Sequence, residues 1–394
     1  MRDPAPADLF RVEERLSEEA RLVRRSVSRF VTERFRPIVR QHFRDATFPM
    51  ELVAEMGALG LFGMTLEGYG CAGASAVTYG TAMLELERGD SGLRSFASVQ
   101  GALCMFPVHA WGSEAQKARW LPRMARGEAV GCFGLTEPGS GSDPASMQTR
   151  ARVDGDGFRL DGAKAWITNG SVADVAVVWA KVGDGDARSI RGFLVERGTP
   201  GFTTRDVDGK LALRASVTSE LGLDGVRVGP EAVLPGTEGL GLKGPLTCLG
   251  KARFGIAWGA VGAALDCFEV ARDYARTRVQ FGRPIGAFQL VQEKLVEVWE
   301  GIESGHLLAL RLGELEDGGG ATPAQISMAK RMNVRMARDA ARTCRELLGA
   351  NGVVDDLSPM RHMANLEAVY TYEGTHDVHT LTLGREATGL DAFE

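Results

Sequence analysis

Hydrophobic and polar positions repeat with a helical period in the first third of the chain. In EEARLVRRSVSRFVTERFRPIV, residues 18–39, apolar side chains recur every three or four positions, and Ser17 precedes them as a helix start. The run AVTYGTAMLELERGDSGLRSFASVQGALCMF continues this period, and Ser113 is the expected N-cap of the helix in SEAQKARWLPRMARGE. We therefore predict an N-terminal helical domain over residues 1–130.

The pattern changes to short β-type runs over residues 131–240. GFRLDGAKAWITNG, VADVAVVWAKV and SIRGFLVERG are rich in strand-forming residues and are separated by glycine, aspartate and asparagine turns. They predict a middle antiparallel β barrel or sandwich domain. Helical spacing returns over residues 241–394, with Pro323 at a helix start, and predicts a C-terminal four-helix bundle. The predicted fold class is thus α+β and multidomain.

Composition narrows the function classes. The chain has 394 residues, 25 % charged and 44 % hydrophobic, with a formal net charge of −5. This balance argues against a nucleic-acid partner, which needs a clustered basic surface. The six cysteines are scattered without a CxxC pair, which suits a reducing compartment. We expect no membrane-spanning run and a cytoplasmic protein, or the mitochondrial matrix in a eukaryote.

Two patterns have a simpler interpretation than the ligand sites they imitate. Residues 239–244, GLGLKG, match the GxGxxG form of a dinucleotide site, but Pro245 and a helical region follow, so we interpret them as a connection between domains. His376 and His379 have a spacing compatible with a metal. No other histidine or cysteine lies near them in sequence, and we expect Asp377 to cap a helix, so we predict no metal.

Several motifs carry candidate chemistry. CFGLTEPGSGSDPASM, residues 132–147, combines bare glycine backbone with hydroxyl side chains that suit a polar ring or a phosphate, although an ordinary turn would look alike. WITNG places an aromatic residue at a strand end, RTRVQFGRPIGAFQ breaks a helix beside an arginine, and ELLGANG is a glycine-rich helix end. YEGTHDVH places one carboxylate, Glu373, between an aromatic ring and a glycine.

Taken together and in this order, these motifs resemble the flavin-dependent acyl-CoA dehydrogenases over the whole chain. Within that family the chain is most similar to the glutaryl-CoA dehydrogenases, through ELERGDSGLRSFASVQ, KARFGIAWGAVGA and RHMANLEAVYTYEGTHDVH. The resemblance implies a helical, a β and a four-helix-bundle domain, usually in a homotetramer. It also implies FAD between the β domain and the bundle, reaching into a neighbouring subunit.

The resemblance also implies site residues. The expected FAD contacts are Phe133, Leu135, Thr136, Ser142, Trp166, Ile167, Thr168, Arg278, Gln289, Glu346, Leu347, Leu348, Gly349, Ala350, Thr375, His376 and Asp377, with residues 346–350 contributed by the partner subunit. The expected contacts of the acyl-CoA substrate are Glu87, Arg94, Ser95, Ser98, Ser142, Arg253, Tyr372, Gly374 and Phe393. Two positions depart from the family pattern. Cys71 replaces a glycine in a loop, and Ala350 places a methyl group at an expected FAD contact.

The implied chemistry assigns Glu373 as the catalytic base. It would remove the α-proton of an acyl thioester while a hydride passes from the β-carbon to flavin N5, and electrons would then pass to an electron-transfer flavoprotein. Some relatives place the base near Ala252, where this chain has no carboxylate. Burial would raise the pKa of Glu373 and make it a stronger base.

Arg94 suggests the substrate. The resemblance implies that the stretch GDSGLRSFASVQ, which contains Arg94, lines the end of the acyl pocket. A guanidinium there suits the distal carboxylate of glutaryl-CoA, which would be oxidised and decarboxylated to crotonyl-CoA and CO2. The alternative is a structural ion pair of Arg94 with Glu87 or Asp90. Alternative functions are a short-chain or non-decarboxylating acyl-CoA dehydrogenase, an acyl-CoA oxidase, and a non-catalytic flavoprotein partner.

Overall fold

The N-terminal part of the protein is helical. A computed structural model describes residues 7–393, so the predicted domain limits at residues 1 and 394 lie outside the described part. The first seven helices are α1 (Glu18–Phe30), α2 (Arg36–Asp45), α3 (Val53–Ala58), α4 (Ala76–Gly89), α5 (Ser91–Ser98), α6 (Phe106–Trp111) and α7 (Glu114–Ala125).

Side-chain caps fix where several of these helices begin. Ser17 accepts a hydrogen bond from the backbone N–H of Ala20 at the start of α1, and Ser113 forms a capping box with Gln116 at the start of α7. Both starts confirm the sequence-based prediction. Asp90 caps α5 by accepting from the N–H of Gly92 at 2.7 Å. This cap fixes the start of a short helix whose side chains are buried throughout, including Arg94.

The middle domain is one twisted sheet. Its strands are β1 (Gly131–Gly134), β2 (Arg150–Asp154), β3 (Gly157–Thr168), β4 (Val175–Val182), β5 (Ile190–Glu196), β6 (Phe202–Asp206) and β7 (Thr218–Val228). The strand order is β1-β4-β2-β3-β7-β6, and β5 pairs with β4. The predicted β domain is confirmed, with one difference. β4 pairs in parallel with β1 and β2, so the sheet is mixed rather than fully antiparallel.

The C-terminal part is a helical bundle, as predicted. It contains α8 (Lys243–Thr277), a hairpin of β8 (Val279–Gln280) and β9 (Arg283–Pro284), α9 (Gln289–Asp317), α10 (Pro323–Leu347), α11 (Pro359–Thr371) and α12 (His376–Thr388). Helix α8 packs against α4, α9 and α10, while α11 and α12 pack on α10. The GLGLKG pattern begins in the turn before α8 and ends in the first two residues of that helix, which agrees with its interpretation as a domain connection.

Helix α8 occupies the centre of the molecule. By length and composition it is apolar enough to cross a membrane, which corrects the expectation that no such run exists. However, 89 % of its most apolar window is buried inside the protein. A helix that is apolar all round and covered by neighbouring helices is typical of a protein core. Its length lets one helix contact the N-terminal domain, the bundle and the loop that holds Glu373.

Candidate active site

Glu373 lies in the short connection between α11 and α12. We call residues Tyr372–Gly374 the base loop. Glu373 has a φ of 52° and Gly374 a φ of 92°, so two consecutive residues adopt the left-handed region. A Cβ at Gly374 would lie 2.9 Å from Nε2 of His379 and 3.1 Å from Nη2 of Arg253. The tight turn and the close neighbours explain why glycine follows the carboxylate.

Buried cations hold the base loop through its backbone. Nζ of Lys330, on α10, donates to the carbonyl oxygens of Tyr372 and Gly374, both at 2.6 Å. Nε of Arg253, on α8, donates to the carbonyl oxygen of Glu373 at 2.6 Å. Three successive carbonyl groups are therefore fixed by two helices of the bundle. The Glu373 side chain is left out of this network, since its buried Oε2 has no hydrogen-bond partner among the described residues.

Arg94 is fully buried and faces the base loop. Its Nε donates to Oε2 of Glu87 on α4 at 2.7 Å, and its Nη2 donates to the hydroxyl of Tyr372. The ion pair with Glu87 that the sequence left as an alternative is thus present. Asp90, the other possible partner, instead accepts from Arg361 at 2.9 Å. The third nitrogen of the Arg94 guanidinium, Nη1, has no hydrogen-bond acceptor within residues 7–393.

Nη1 of Arg94 and two neighbouring hydroxyl groups, those of Ser98 and Tyr79, form what we call the donor cluster. Each of these atoms is buried and forms no well-aligned hydrogen bond in the part of the chain that the structure describes, although the hydroxyls of Ser98 and Tyr79 lie near each other. Burial raises the pKa of Tyr79 to about 12, so its hydroxyl remains a donor. Buried donors without acceptors are unfavourable unless a ligand supplies the acceptor.

Sequence reasoning missed Tyr79. Its signal was its place on α4, two helical turns before Glu87 and therefore on the same face. Tyr79 also lines a cavity of about 260 Å³ and stacks on Phe254 of α8, with ring centroids 6.0 Å apart. Gly255, beside Phe254, leaves room for the ring, since a Cβ there would lie 2.7 Å from the Tyr79 hydroxyl. Of the donor cluster, only Tyr79 is among the residues that line this cavity.

Charges in this region shift several pKa values. Burial raises the pKa of Glu373, although the cations Arg94, Lys330 and Arg253 oppose the shift. Burial alone would lower the pKa of Arg94, but the charge of Glu87 outweighs it and keeps the guanidinium protonated. Burial lowers the pKa of Lys330 to about 7. The result is a carboxylate that is more basic than a free glutamate and surrounded by positive charge.

The predicted flavin contacts on the β domain lie next to one another. The N–H of Ala165 donates to the carbonyl of Thr136 at 2.9 Å, which joins the end of β3 to the loop after β1. Phe133, Leu135 and Ile167 are buried beneath this junction, and Thr168 is the last residue of β3. Trp166 has a φ of 61° and is 64 % exposed. An exposed indole in a strained backbone conformation fits the face of a planar ring such as a flavin.

The GLTEPGSGS loop presents bare backbone beside this junction. A Cβ on Gly139 or Gly141 would meet no described atom within 4 Å, and Ser142 is exposed. Glu137 braces the loop by accepting from Nζ of Lys164 at 2.8 Å and from the N–H of Thr149 at 2.9 Å. Lys164 is fully buried, and burial lowers its pKa to about 8. An open loop with a rigid base fits a phosphate-bearing cofactor or substrate.

Lys164 is a second residue that sequence reasoning missed. It alternates with exposed positions along β3 and points into the domain, where a lysine is rare without a partner. Its Nζ also donates to the carbonyl of Leu135 at 3.1 Å, one residue from the predicted flavin contact Thr136. The signal available from sequence was a lysine within the alternating pattern of GFRLDGAKAWIT.

Other predicted cofactor contacts lie on the outside of the bundle. Arg278 ends α8, Gln289 begins α9, and both are exposed. Glu346 pairs with Lys294 of α9, while Gly349 has a φ of 58° just after α10. Their contact with FAD, like that of Leu347, Leu348 and Ala350, stays a prediction.

The start of α12 differs from the expectation in one respect. Thr375, not Asp377, caps α12 by accepting from the N–H of Val378 at 3.1 Å, because its position directly before the first helical residue suits a cap. His376 stacks on Tyr370, and Nδ1 of His379 is 3.0 Å from Oγ of Ser327. Within residues 7–393 no group of three metal-ligating side chains is present.

Two further predicted substrate contacts have different surroundings. Ser95 is buried on α5 directly after Arg94. Phe393 lies in the tail after α12 and is 49 % exposed. Its role in substrate binding stays a prediction, whereas Glu87, Arg94, Tyr372, Gly374 and Arg253 are brought together around Glu373.

The chain is similar to known proteins over nearly its whole length. Models of the acyl-CoA dehydrogenase N-terminal, middle and C-terminal domains match residues 17–128, 132–226 and 239–388. A glutaryl-CoA dehydrogenase from Mycobacterium smegmatis in complex with FADH2 is 52 % identical, with a TM-score of 0.97 and 100 % of each chain covered. A second structure of that organism's glutaryl-CoA dehydrogenase is 54 % identical, with a TM-score of 0.96 and 99 % of this chain and 100 % of that chain covered. The human mitochondrial short-chain specific acyl-CoA dehydrogenase is 34 % identical over 93 % of this chain and 90 % of its own length.

Proposed function

We propose a substrate and a reaction for this chain, which belongs to the acyl-CoA dehydrogenase family and has FAD as its cofactor. The proposed reaction is oxidation of glutaryl-CoA followed by loss of its distal carboxylate, which yields crotonyl-CoA and CO2. When bound, FAD accepts the hydride that leaves the β-carbon of the acyl chain. The chain's own residues supply the base and the group that receives the distal carboxylate.

Glu373 is the proposed base for the α-proton. A free glutamate has a pKa of about 4.3, which makes it a poor base for a carbon acid. Burial raises the pKa of Glu373, and its Oε2 accepts no hydrogen bond from any described residue. Its proton affinity is therefore available to the substrate. After CO2 leaves, the same carboxyl group would return the proton to the γ-carbon.

The donor cluster is the observation that carries the choice of substrate. A distal carboxylate between Arg94, Ser98 and Tyr79 would accept from all three donors that lack partners within the described chain. A monocarboxylic chain of similar length would leave them unsatisfied, at a cost of about 1–3 kcal/mol for each buried group. The sequence identity of 52–54 % to the glutaryl-CoA dehydrogenase structures from Mycobacterium smegmatis supports the same substrate.

Glu87 limits how strongly Arg94 holds the distal carboxylate, which favours decarboxylation. Because Glu87 already accepts from Nε, and Nη2 donates to Tyr372, Nη1 is the nitrogen left for the substrate. A carboxylate held by one nitrogen is oriented but is not clamped by a two-point ion pair. Partial neutralisation by Glu87 also lowers the cost of releasing the carboxylate as uncharged CO2.

The competing function is oxidation of a short monocarboxylic acyl-CoA. It is favoured by the 34 % identity to a short-chain specific enzyme. The decisive experiment mixes the purified flavoprotein with glutaryl-CoA and an artificial electron acceptor, and identifies the product by mass. Crotonyl-CoA is expected. Glutaconyl-CoA would keep the oxidation and remove the decarboxylation, and turnover of butyryl-CoA alone would assign the competing function.

Matched variants separate specificity from folding. In Arg94→Gln/Glu87→Gln, neither partner is left as an unpaired buried charge. We expect kcat/KM for glutaryl-CoA to fall by several powers of ten, and that for butyryl-CoA to fall much less. Equal losses for the two substrates would make Arg94 a structural residue.

The electron acceptor and the oligomeric state are proposed by analogy with the family. Electrons are expected to pass to an electron-transfer flavoprotein, and the chain is expected to form a homotetramer. Reduction of a purified electron-transfer flavoprotein by the enzyme with glutaryl-CoA, and the mass of the assembly in solution, test these two statements separately. Rapid reoxidation of the reduced enzyme by dissolved oxygen would instead assign an oxidase.

A further inference from the structure

The base loop has an unusual backbone arrangement. Its three carbonyl groups are all held by cations, and its second and third residues have φ values of 52° and 92°. The left-handed conformation at Glu373 is disfavoured for a residue with a side chain and persists only where the surroundings impose it. The direction of the Glu373 side chain therefore depends on what holds the neighbouring peptide groups.

Lys330 holds the peptide groups on both sides of Glu373. Its side chain is 1 % exposed, and one nitrogen bridges the carbonyls of Tyr372 and Gly374 at 2.6 Å each. The same nitrogen lies 5.8 Å from the centre of the Tyr372 ring. No other described residue bridges the two ends of the loop in this way, since Arg253 contacts only the central carbonyl.

The charges that face Lys330 come from several elements. Glu373 favours its protonated form, while Arg253 on α8 and Arg94 on α5 oppose it, and burial lowers its pKa to about 7. His379 on α12 also lies beside it, and the pKa of that imidazole is lowered to about 3 by burial and by Lys330. A protonated Lys330 in turn lowers the proton affinity of Glu373.

We propose that Lys330 is a positioning residue for the reaction: it bridges the carbonyls of Tyr372 and Gly374 and thereby aims the carboxylate of Glu373 at the substrate. This inference rests on Glu373 being the base, but not on the identity of the acyl chain. Lys330 touches neither the acyl chain nor the reacting proton in this proposal. A displacement of the carboxylate by about 1 Å is enough to slow proton transfer on the order of a hundred-fold.

Three variants test the proposal. Lys330→Met keeps the aliphatic stem and removes the charge and both hydrogen bonds to the base loop. Lys330→Arg keeps the charge, but its planar group does not place one nitrogen between the two carbonyls. Lys117→Met is the control, because this lysine pairs with Glu114 on the surface of α7. For each FAD-loaded protein, the rate of flavin reduction by glutaryl-CoA and by butyryl-CoA is measured across pH in a stopped-flow instrument.

Lys330→Met is expected to lower the maximal rate on the order of a hundred-fold, with little change in the half-saturating substrate concentration. The acid limb of its pH profile should move to higher pH, because the carboxylate of Glu373 has lost a neighbouring cation. Lys330→Arg should be slow but keep the wild-type acid limb. Amide hydrogen exchange of residues 370–377 should be faster in Lys330→Met than in the wild type, both with FAD and without it.

Specific outcomes would overturn the proposal. A wild-type rate in Lys330→Met, or a slow variant with an unmoved acid limb and unchanged exchange, would remove the positioning role. If Lys330→Met does not fold, a wild-type rate in Lys330→Arg has the same meaning. A wild-type protein that neither acyl-CoA reduces would instead overturn the proposed function, and with it this inference.

Discussion

The two groups of residues assigned to function differ in how they are enclosed. The groups around Glu373, including Glu87, Arg94 and Lys330, come from α4, α5, α8, α10 and the base loop, and they hold one another in the interior of the protein. The residues assigned to the cofactor, such as Trp166 and Arg278, lie mostly at the surface of the single chain. Most polar groups of the first set are paired with one another within the described chain, and the exceptions include the donor cluster and Glu373 Oε2. The second set consists largely of exposed residues.

This difference predicts two kinds of mutational effect. In the buried group, chemistry and folding depend on the same ion pairs, so a single substitution disturbs both. In the exposed group, a substitution removes an expected contact with the cofactor but little of the protein core. Variants can therefore test whether the boundary between the two groups lies where the geometry places it.

The largest effect is expected from Glu373→Gln. The amide keeps the shape of the side chain but does not accept the α-proton, so flavin reduction by glutaryl-CoA should fall by about 10²–10⁴-fold, the usual contribution of a general base. FAD should remain bound, as measured by the absorbance spectrum after gel filtration. Glu367→Gln, on the exposed face of α11, is the control. A Glu373→Gln protein that is reduced at the wild-type rate would exclude this residue as the base.

The next effect concerns stability. Arg94→Met leaves the carboxylate of Glu87 buried without its partner, and should lower the free energy of unfolding by about 3–5 kcal/mol. Arg94→Met/Glu87→Met removes both charges and should recover most of that loss, while remaining inactive with glutaryl-CoA. Denaturant unfolding of FAD-loaded proteins measures both. Arg126→Met, which breaks a surface pair with Glu128, should cost about 0–1 kcal/mol. If the double variant is no more stable than the single one, the loss in Arg94→Met does not come from the unpaired carboxylate of Glu87.

A smaller effect follows from the raised pKa of Glu373. The folded protein keeps this proton at pH values where the unfolded chain has lost it, so the stabilising contribution is full below the unfolded pKa of about 4.3. It is lost as pH rises through the higher folded-state pKa. The Glu373→Gln variant does not ionise, so its melting temperature relative to the wild type should increase with pH. A difference that stays constant from acidic to alkaline buffer would contradict the raised pKa.

The sequence predicted the buried and the exposed groups unequally. Periodicity was sufficient for the helical and β domains. The family resemblance of the motif around Glu373 singled out this residue as the expected base, and that role stays a prediction. Tyr79 and Lys330 could not be assigned in this way. Each lies in a regular helical pattern, and its role depends on a group more than forty positions away in sequence or on a missing hydrogen-bond partner, which only the packed structure reveals. The parallel pairing of β4 with β1 and β2 was missed for the same reason, since strand spacing does not report which strands become neighbours.

The smallest effect is expected from Trp166→Ala on the exposed side of the comparison. Because the indole is 64 % exposed, its loss should leave the melting temperature of the FAD-free protein nearly unchanged. The same indole is expected to lie against the flavin, and an aromatic contact contributes about 0.5–1.5 kcal/mol, so the dissociation constant of FAD should rise by up to about ten-fold. Titration of the FAD-free protein with FAD, followed by flavin fluorescence, measures this change.

Leu211→Ala is the control, because Leu211 is 83 % exposed in the same domain and has no assigned contact with FAD. A marked fall in the melting temperature of Trp166→Ala, but not of Leu211→Ala, would place Trp166 with the buried group. The indole would then stabilise the fold of the β domain itself, and the end of β3 would not be only a cofactor-binding surface.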